Sequence, residues 1–135
     1  MTVQLSVAVR NAMLDAIETT IGTSAIVRFR SGAQPADCAA GDSGTVIATF
    51  NLASDWMAAA SAGSKAFSGT PITDASADAA GTLGHYRVYD SGGTVCGMQG
   101  SVGTGADDIV VDNDSVALGQ EVRITAWTID MSGHA

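Results

Sequence analysis

The sequence predicts a mainly-β fold, an antiparallel β-sandwich or small barrel, with an N-terminal α-helix. Three observations predict it. Apolar residues recur every four positions from Leu5 to Ile21 and then, after Gly22, every two. The 16 glycines and two prolines punctuate short apolar runs in the manner of strands joined by turns. The run Gly84-His85-Tyr86-Arg87-Val88-Tyr89-Asp90-Ser91-Gly92-Gly93-Thr94-Val95-Cys96 reads as strand, tight polar turn and returning strand.

The elements follow in order. Leu5, Val9, Met13, Ile17 and Ile21 form the helical stripe, which Leu14 widens, while Ala8, Ala12 and Ala16 add helix propensity. Ser6 suits the N-cap and Gly22 the position after the last turn, giving a helix over about 5–22. Arg10, Asn11, Asp15 and Glu18 mark its polar side, so the helix is expected to lay its apolar stripe on a sheet or against another subunit. Val27 and Phe29 then alternate with Arg28 and Arg30 in a first strand. An irregular loop over 33–44 leads to a second strand, Thr45 to Leu52, with Val46, Ala48, Phe50 and Leu52 on one face. Trp56 is expected to anchor a short turn, and Ala66-Phe67 and Ile72 to mark a short strand on either side of Gly69-Thr70-Pro71. The Ser61 to Gly84 stretch, rich in small and polar residues, gives the weakest pattern and suits a segment that orders on assembly.

In the hairpin, Tyr86 and Val88 share one face and His85, Arg87 and Tyr89 the other, with Cys96, Met98 and Val102 on one face of the return strand. A strand begins over 107–111. Ala117-Leu118-Gly119-Gln120 turns into a last strand, Glu121 to Ile129, where Val122, Ile124 and Ala126 alternate with Arg123, Thr125 and Trp127. That alternation puts Trp127 and Ile129 opposite Val122 and Ile124, either under a second covering layer or against another protomer. No repeat or linker divides the chain, so 1–135 is read as one domain, with a β-rich body over 23–135.

Composition narrows the function. The 135 residues carry a net charge of −8, which disfavours nucleic acid and anionic membranes as partners. Only 15% of residues are charged and 5% aromatic, and alanine dominates the apolar fraction, so individual core positions are small and burial against another subunit is a natural supplement. The N-terminal segment lacks the basic-then-apolar pattern of a leader, which points to synthesis in a cytoplasm and to Cys38 and Cys96 as reduced thiols, with a single disulfide between them as the alternative.

Candidate chemistry is sparse. Asp112 and Asp114 have the alternate spacing of a calcium loop, but the glycine and glutamate that complete such a loop are missing. Cys38, Cys96, His85 and His134 lack zinc-ligand spacing. There is no Gly-x-Ser-x-Gly elbow, phosphate loop or dinucleotide fingerprint. No catalytic residue, cofactor, metal or small-molecule substrate is therefore assigned. Arg28, Arg30, Arg87 and Arg123, four of the six basic residues, fall in strands. If those strands adjoin, they make a basic patch that either pairs with nearby carboxylates or, with Trp127, docks an acidic protein surface.

Three segments resemble small virion structural proteins of tailed bacteriophages and prophages. They are the helix-to-strand run Val9–Glu18 through Ile26–Gly32, the hairpin Gly84–Cys96, and Leu118-Gly119-Gln120-Glu121-Val122-Arg123-Ile124-Thr125-Ala126-Trp127-Thr128. Together they cover roughly a third of the chain, in order. The resemblance implies a non-enzymatic structural protein, foremost a head decoration or cement protein. Such a protein binds the outer capsid surface and stabilises adjacent subunits. Its implied partners are the major capsid protein and copies of itself, as a trimer or dimer. Its implied place is the outer head surface, after synthesis in the host bacterial cytoplasm. A tail, collar or fibre-associated protein, or a receptor- or carbohydrate-binding module, is the alternative.

Overall fold

The computed structural model describes residues 3–68 and 72–135. Helix α1 (Val7–Ile21) starts where Ser6 accepts a hydrogen bond from the Val9 amide and ends at Gly22, whose φ of 99° is open to glycine alone without strain. Ten strands follow: β1 (Ile26–Arg30), β2 (Val46–Asn51), β3 (Ser64–Ala66), β4 (Ile72–Asp74), β5 (Gly81–Thr82), β6 (His85–Tyr89), β7 (Cys96–Gly103), β8 (Ile109–Val111), β9 (Ser115–Val116) and β10 (Val122–Asp130). A single 3-10 turn, Ser132–His134, closes the chain. Strand outweighs helix, 38% against 14%, so the chain is mainly β as expected.

The main sheet runs β2-β1-β6-β7-β8-β10-β3, with β4 also on β10, and curls into a half-barrel. It is mixed: β7 and β8 pair in parallel through Val102↔Ile109, where the sequence suggested antiparallel pairing throughout. The open side is drawn together without a ladder, since the Asp74 carboxylate accepts the Thr49 amide of β2 and the Asp78 amide reaches the Ile47 carbonyl. β5 and β9 form a separate small pair. The weakly patterned stretch after Ser61 is thus placed by pairing within the chain, while Gly69-Thr70-Pro71 lies outside the described residues.

The 85–102 hairpin forms as read. Asp90 organises the turn, its Oδ1 accepting the amides of Thr94 and Val95. All five β6 residues are buried, however. Tyr86 and Val88 enter the core, and the outer face carrying His85, Arg87 and Tyr89 is roofed by the loop between β1 and β2. Asp42 is the loop's anchor: it pairs with Arg87 (2.5 Å) and Arg30 (2.9 Å) and accepts the Tyr89 hydroxyl (2.6 Å). Arg87 also donates to Gln99 and to the carbonyls of Asp37 and Ala40. The same loop carries Cys38, disulfide-bonded to Cys96 with Cα atoms 5.3 Å apart. This corrects the expectation of two reduced thiols: folding the loop over β6 brings together two residues that are distant in sequence.

A bulge corrects the last strand. Pairing of β10 with β8 slips between Ile124 and Ala126, so one extra residue reverses the alternation. Ala126 turns outward, and Trp127 turns into the same core as Val122 and Ile124. There it stacks on Phe67 at 4.6 Å and meets Tyr86 edge-on at 5.4 Å. A similar slip between β1 and β2 leaves Ile47 and Ala48 both buried.

Candidate assembly interface

The helix does not lay its apolar stripe on the sheet, the first of the two expectations: Val9 and Met13 of that stripe are exposed. Its polar side faces the body, because the 55–65 segment has backbone amides that no strand partner meets. Glu18 Oε1 accepts the amides of Trp56 and Met57 at 3.0 and 3.1 Å. Asp15 Oδ1 accepts that of Ala60 at 2.9 Å, and Asn11 Oδ1 that of Gly63 at 2.9 Å. The helix side chains thus stand in for a neighbouring strand, since an unmet buried amide costs about 1–3 kcal/mol. Arg10 and Leu14 are buried at the same contact.

Lys65, 1% exposed, completes it. Its ammonium donates to Asp15 (2.8 Å) and the Ala58 carbonyl (2.9 Å) and pairs with Glu18 (3.3 Å). Burial pulls the Lys65 pKa down, but the hydrogen bonds to Asp15 and Glu18 overcome it and raise it above the ordinary value. The Lys65 hydrogen bond likewise holds Asp15 below the usual carboxylate range. Burial pushes Glu18 up, yet the Met57 amide and its other hydrogen-bond donors bring it below the usual value. Asp55, beside Glu18, is raised by that neighbour. An ammonium held charged by two carboxylates is a structural ion, unlike the depressed-pKa lysine that attacks carbonyls. Sequence reasoning missed this cluster. Its one signal was the single lysine in a stretch of small residues, facing acids three apart on a helix.

With the polar side turned inward, the outward face of α1 is apolar and uncharged. Val9 and Met13 are 45% and 48% exposed, and Ala8, Ala12, Ala16, Thr19 and Thr20 are exposed with them. Beside the C-terminal half of this face lies an open groove of about 790 Å³. Met13, Ala16, Ile17, Thr20 and Ile21 form its helix wall, and Asp90, Val95, Cys96, Gly97 and Met98 its opposite wall. The disulfide therefore borders the groove through Cys96. Gly97 is needed there, because a side chain would strike Ile21.

The arginine set is dispersed by the fold. β1 and β6 are neighbours, which brings Arg28, Arg30 and Arg87 together, with Arg28 directly opposite Arg87. Arg123 lies on β10, paired with Glu121 at 3.0 Å, on an exposed surface apart from them. Arg30 and Arg87 are buried under the loop and engaged by Asp42, so they do not present the accessible patch the sequence suggested. Arg28 lies over the Tyr89 ring at 4.8 Å and donates to the Gly93 carbonyl. Trp127 is 3% exposed and belongs to the core. The aromatic rings of Phe29, Phe50, Phe67, Tyr86, Tyr89, Trp56 and Trp127 are all buried. Among the described residues no group of three His, Cys, Asp or Glu is disposed to hold a metal, and no helix is long and apolar enough to cross a membrane. Comparison with known protein families, with characterised proteins and with solved structures finds no match.

Proposed function

We propose that the chain is a non-enzymatic structural protein of a tailed-phage particle, foremost a head decoration or cement protein, and that it docks through the outward face of α1 and its groove. One observation carries the docking role: an acidic chain spends the polar side of α1 internally and leaves a charge-free apolar face of that helix in water. The resemblance of the helix-to-strand run, the hairpin and the last strand supplies the virion context. The most catalytic-looking cluster, around Lys65, is fully paired, which favours scaffold over chemistry. Burial of every aromatic ring leaves no stacking platform for a sugar, which favours assembly over a carbohydrate-binding module.

The test is immunodetection of the chain in density-purified particles from the strain that carries the sequence, with heads and tails separated. Presence in the head fraction, in tens of copies or more, is the expected result. Presence in the tail fraction would transfer the role to a tail, collar or fibre-associated component. Absence from both would overturn the virion assignment.

A further inference from the structure

We propose that Cys38 and Cys96 form a redox lock that closes on the already folded chain, when it passes from reducing to oxidising surroundings. This goes beyond the docking role and does not depend on it. The two residues lie 58 positions apart, on the β1–β2 loop and at the start of β7. What brings them together is a set of contacts that involves neither sulfur. The Arg87 guanidinium donates to the carbonyls of Asp37 and Ala40, at 2.8 and 3.1 Å, and so grips the backbone on both sides of Cys38. The Asp37 carboxylate accepts the Ala40 amide at 2.8 Å, which fixes the turn between them. Toward β7, Arg87 Nε donates to the Gln99 side chain, on the same strand as Cys96, and Gln99 Nε2 reaches back to the Pro35 carbonyl at 2.8 Å. Tyr89 sits directly opposite Cys96 in the β6–β7 ladder, and its hydroxyl donates to Asp42 on the loop. Both cysteine-bearing segments are therefore held in place independently of the bond between them.

These tethers make the thiols neighbours in the reduced chain, and both cysteines are half-buried, within reach of a small disulfide. With glutathione disulfide as the oxidant, one protein thiolate attacks a glutathione sulfur and expels a glutathione thiolate. The second protein thiolate then attacks the protein sulfur of the mixed disulfide and expels the other glutathione. Two S–H bonds are lost and one S–S bond forms in the protein. The two protons pass to the glutathione thiolates, and the oxidant is reduced by two electrons. Folding and closure are linked, so the factor by which the bridge favours the fold is the factor by which the fold favours the bridge. For a 58-residue separation that factor is about a thousandfold. Closure adds this stability without a change of fold, and it fixes both the loop over β6 and the Cys96 side of the groove. A chain made under reducing conditions thus folds first and locks later.

The experiment equilibrates the full chain in glutathione buffers of graded thiol-to-disulfide ratio, without denaturant and in concentrated urea. Acid quenching, alkylation and intact mass then count open and closed chains. The native chain should close with an equilibrium constant about a thousandfold above that of the unfolded chain, or about 90 mV for a two-electron couple. The reduced chain should keep the near-ultraviolet circular dichroism of the oxidised one, since Trp56, Tyr86 and Trp127 are packed in the core. Asp42→Asn leaves Arg30 and Arg87 buried without their counter-charge, so the loop should lift and the native constant should fall about tenfold, with the unfolded constant unchanged. Gln99→Met, which cuts the Pro35 tether and keeps Asp42, should lower it less, and it carries the test if Asp42→Asn fails to fold. Arg123→Ala, on β10, is the control that should change neither constant. A reduced chain without native dichroism would mean that the bridge precedes the fold, and equal constants for native and unfolded chains would mean that the thiols are not prearranged; either result overturns the lock. So would tether variants that close as readily as the parent. None of these outcomes bears on finding the chain in particles.

Discussion

Replacing both Cys38 and Cys96 with serine should destabilise the chain substantially while leaving its fold in place. The bridge joins residues 58 apart. Closing a loop of that length removes about 14 cal/mol/K of entropy from the unfolded chain, or about 4 kcal/mol at 25 °C. For a domain of this size that corresponds to a fall in Tm of roughly 10–15 °C. The loop carrying Cys38 is held independently by Arg87, Arg30 and Tyr89 on Asp42 and by Gln99 on the Pro35 carbonyl, so the native contacts survive the substitution. Urea unfolding of the parent, the reduced parent and the double variant measures the effect. The denaturant slope should rise with the midpoint's fall, because an uncrosslinked unfolded chain exposes more surface. Two alkylatable thiols in the native parent, or a double variant as stable as the oxidised parent, would refute the reasoning.

Arg87→Met should cost about 2–3 kcal/mol in urea unfolding, less than a wholly buried ion pair because the Asp42 side chain is 39% exposed. Arg123→Ala, at an exposed pair, should change stability by under about 1 kcal/mol, and equal losses for the two arginines would contradict their placement. Trp127→Ala should cost about 3–5 kcal/mol, since its ring packs against Phe67 and Tyr86, whereas the alternation without a bulge would make the loss small. Acid should destabilise the fold. Asp15 and Glu18 have folded pKa values below their ordinary ones, and so has Asp42, where Tyr89, Arg87 and Arg30 outweigh burial. Their contribution is present above the ordinary carboxylate range and is lost as pH falls below about 4. Lys65, raised, adds the opposite limb, present below about pH 10 and lost as pH rises through its folded value. Urea midpoints against pH should show both limbs, with Lys65→Met flattening the alkaline one.

The elements themselves were legible. Ser6 and Gly22 bounded the helix to within two residues, and alternation grouped Val27 with Phe29 and Tyr86 with Val88 on shared faces, which the fold turns to the core. The Asp90 turn was marked by Asp, Ser and Gly residues that favour tight turns. These are local signals: capping, period and turn chemistry act over a few residues, and the sequence lays them side by side.

The faces that matter for function were decided by the tertiary structure. A stripe spaced by four drifts about 40° per step on a helix of 3.6 residues per turn, so Val9 and Met13 face solvent while Ile21 turns to the body. Which side packs was set by the unpaired amides of Trp56, Met57, Ala60 and Gly63, some 40–50 residues away. The bulge at Thr125/Ala126 moved Trp127 inward, and the β1–β2 loop buried Arg87 and joined Cys38 to Cys96. The sequence by itself determined a helix, a hairpin and a set of short strands, because those follow from neighbours along the chain. Only the folded chain decided which surface is left uncharged and open, because hydrogen-bond demand between distant segments outweighed the apolar pattern.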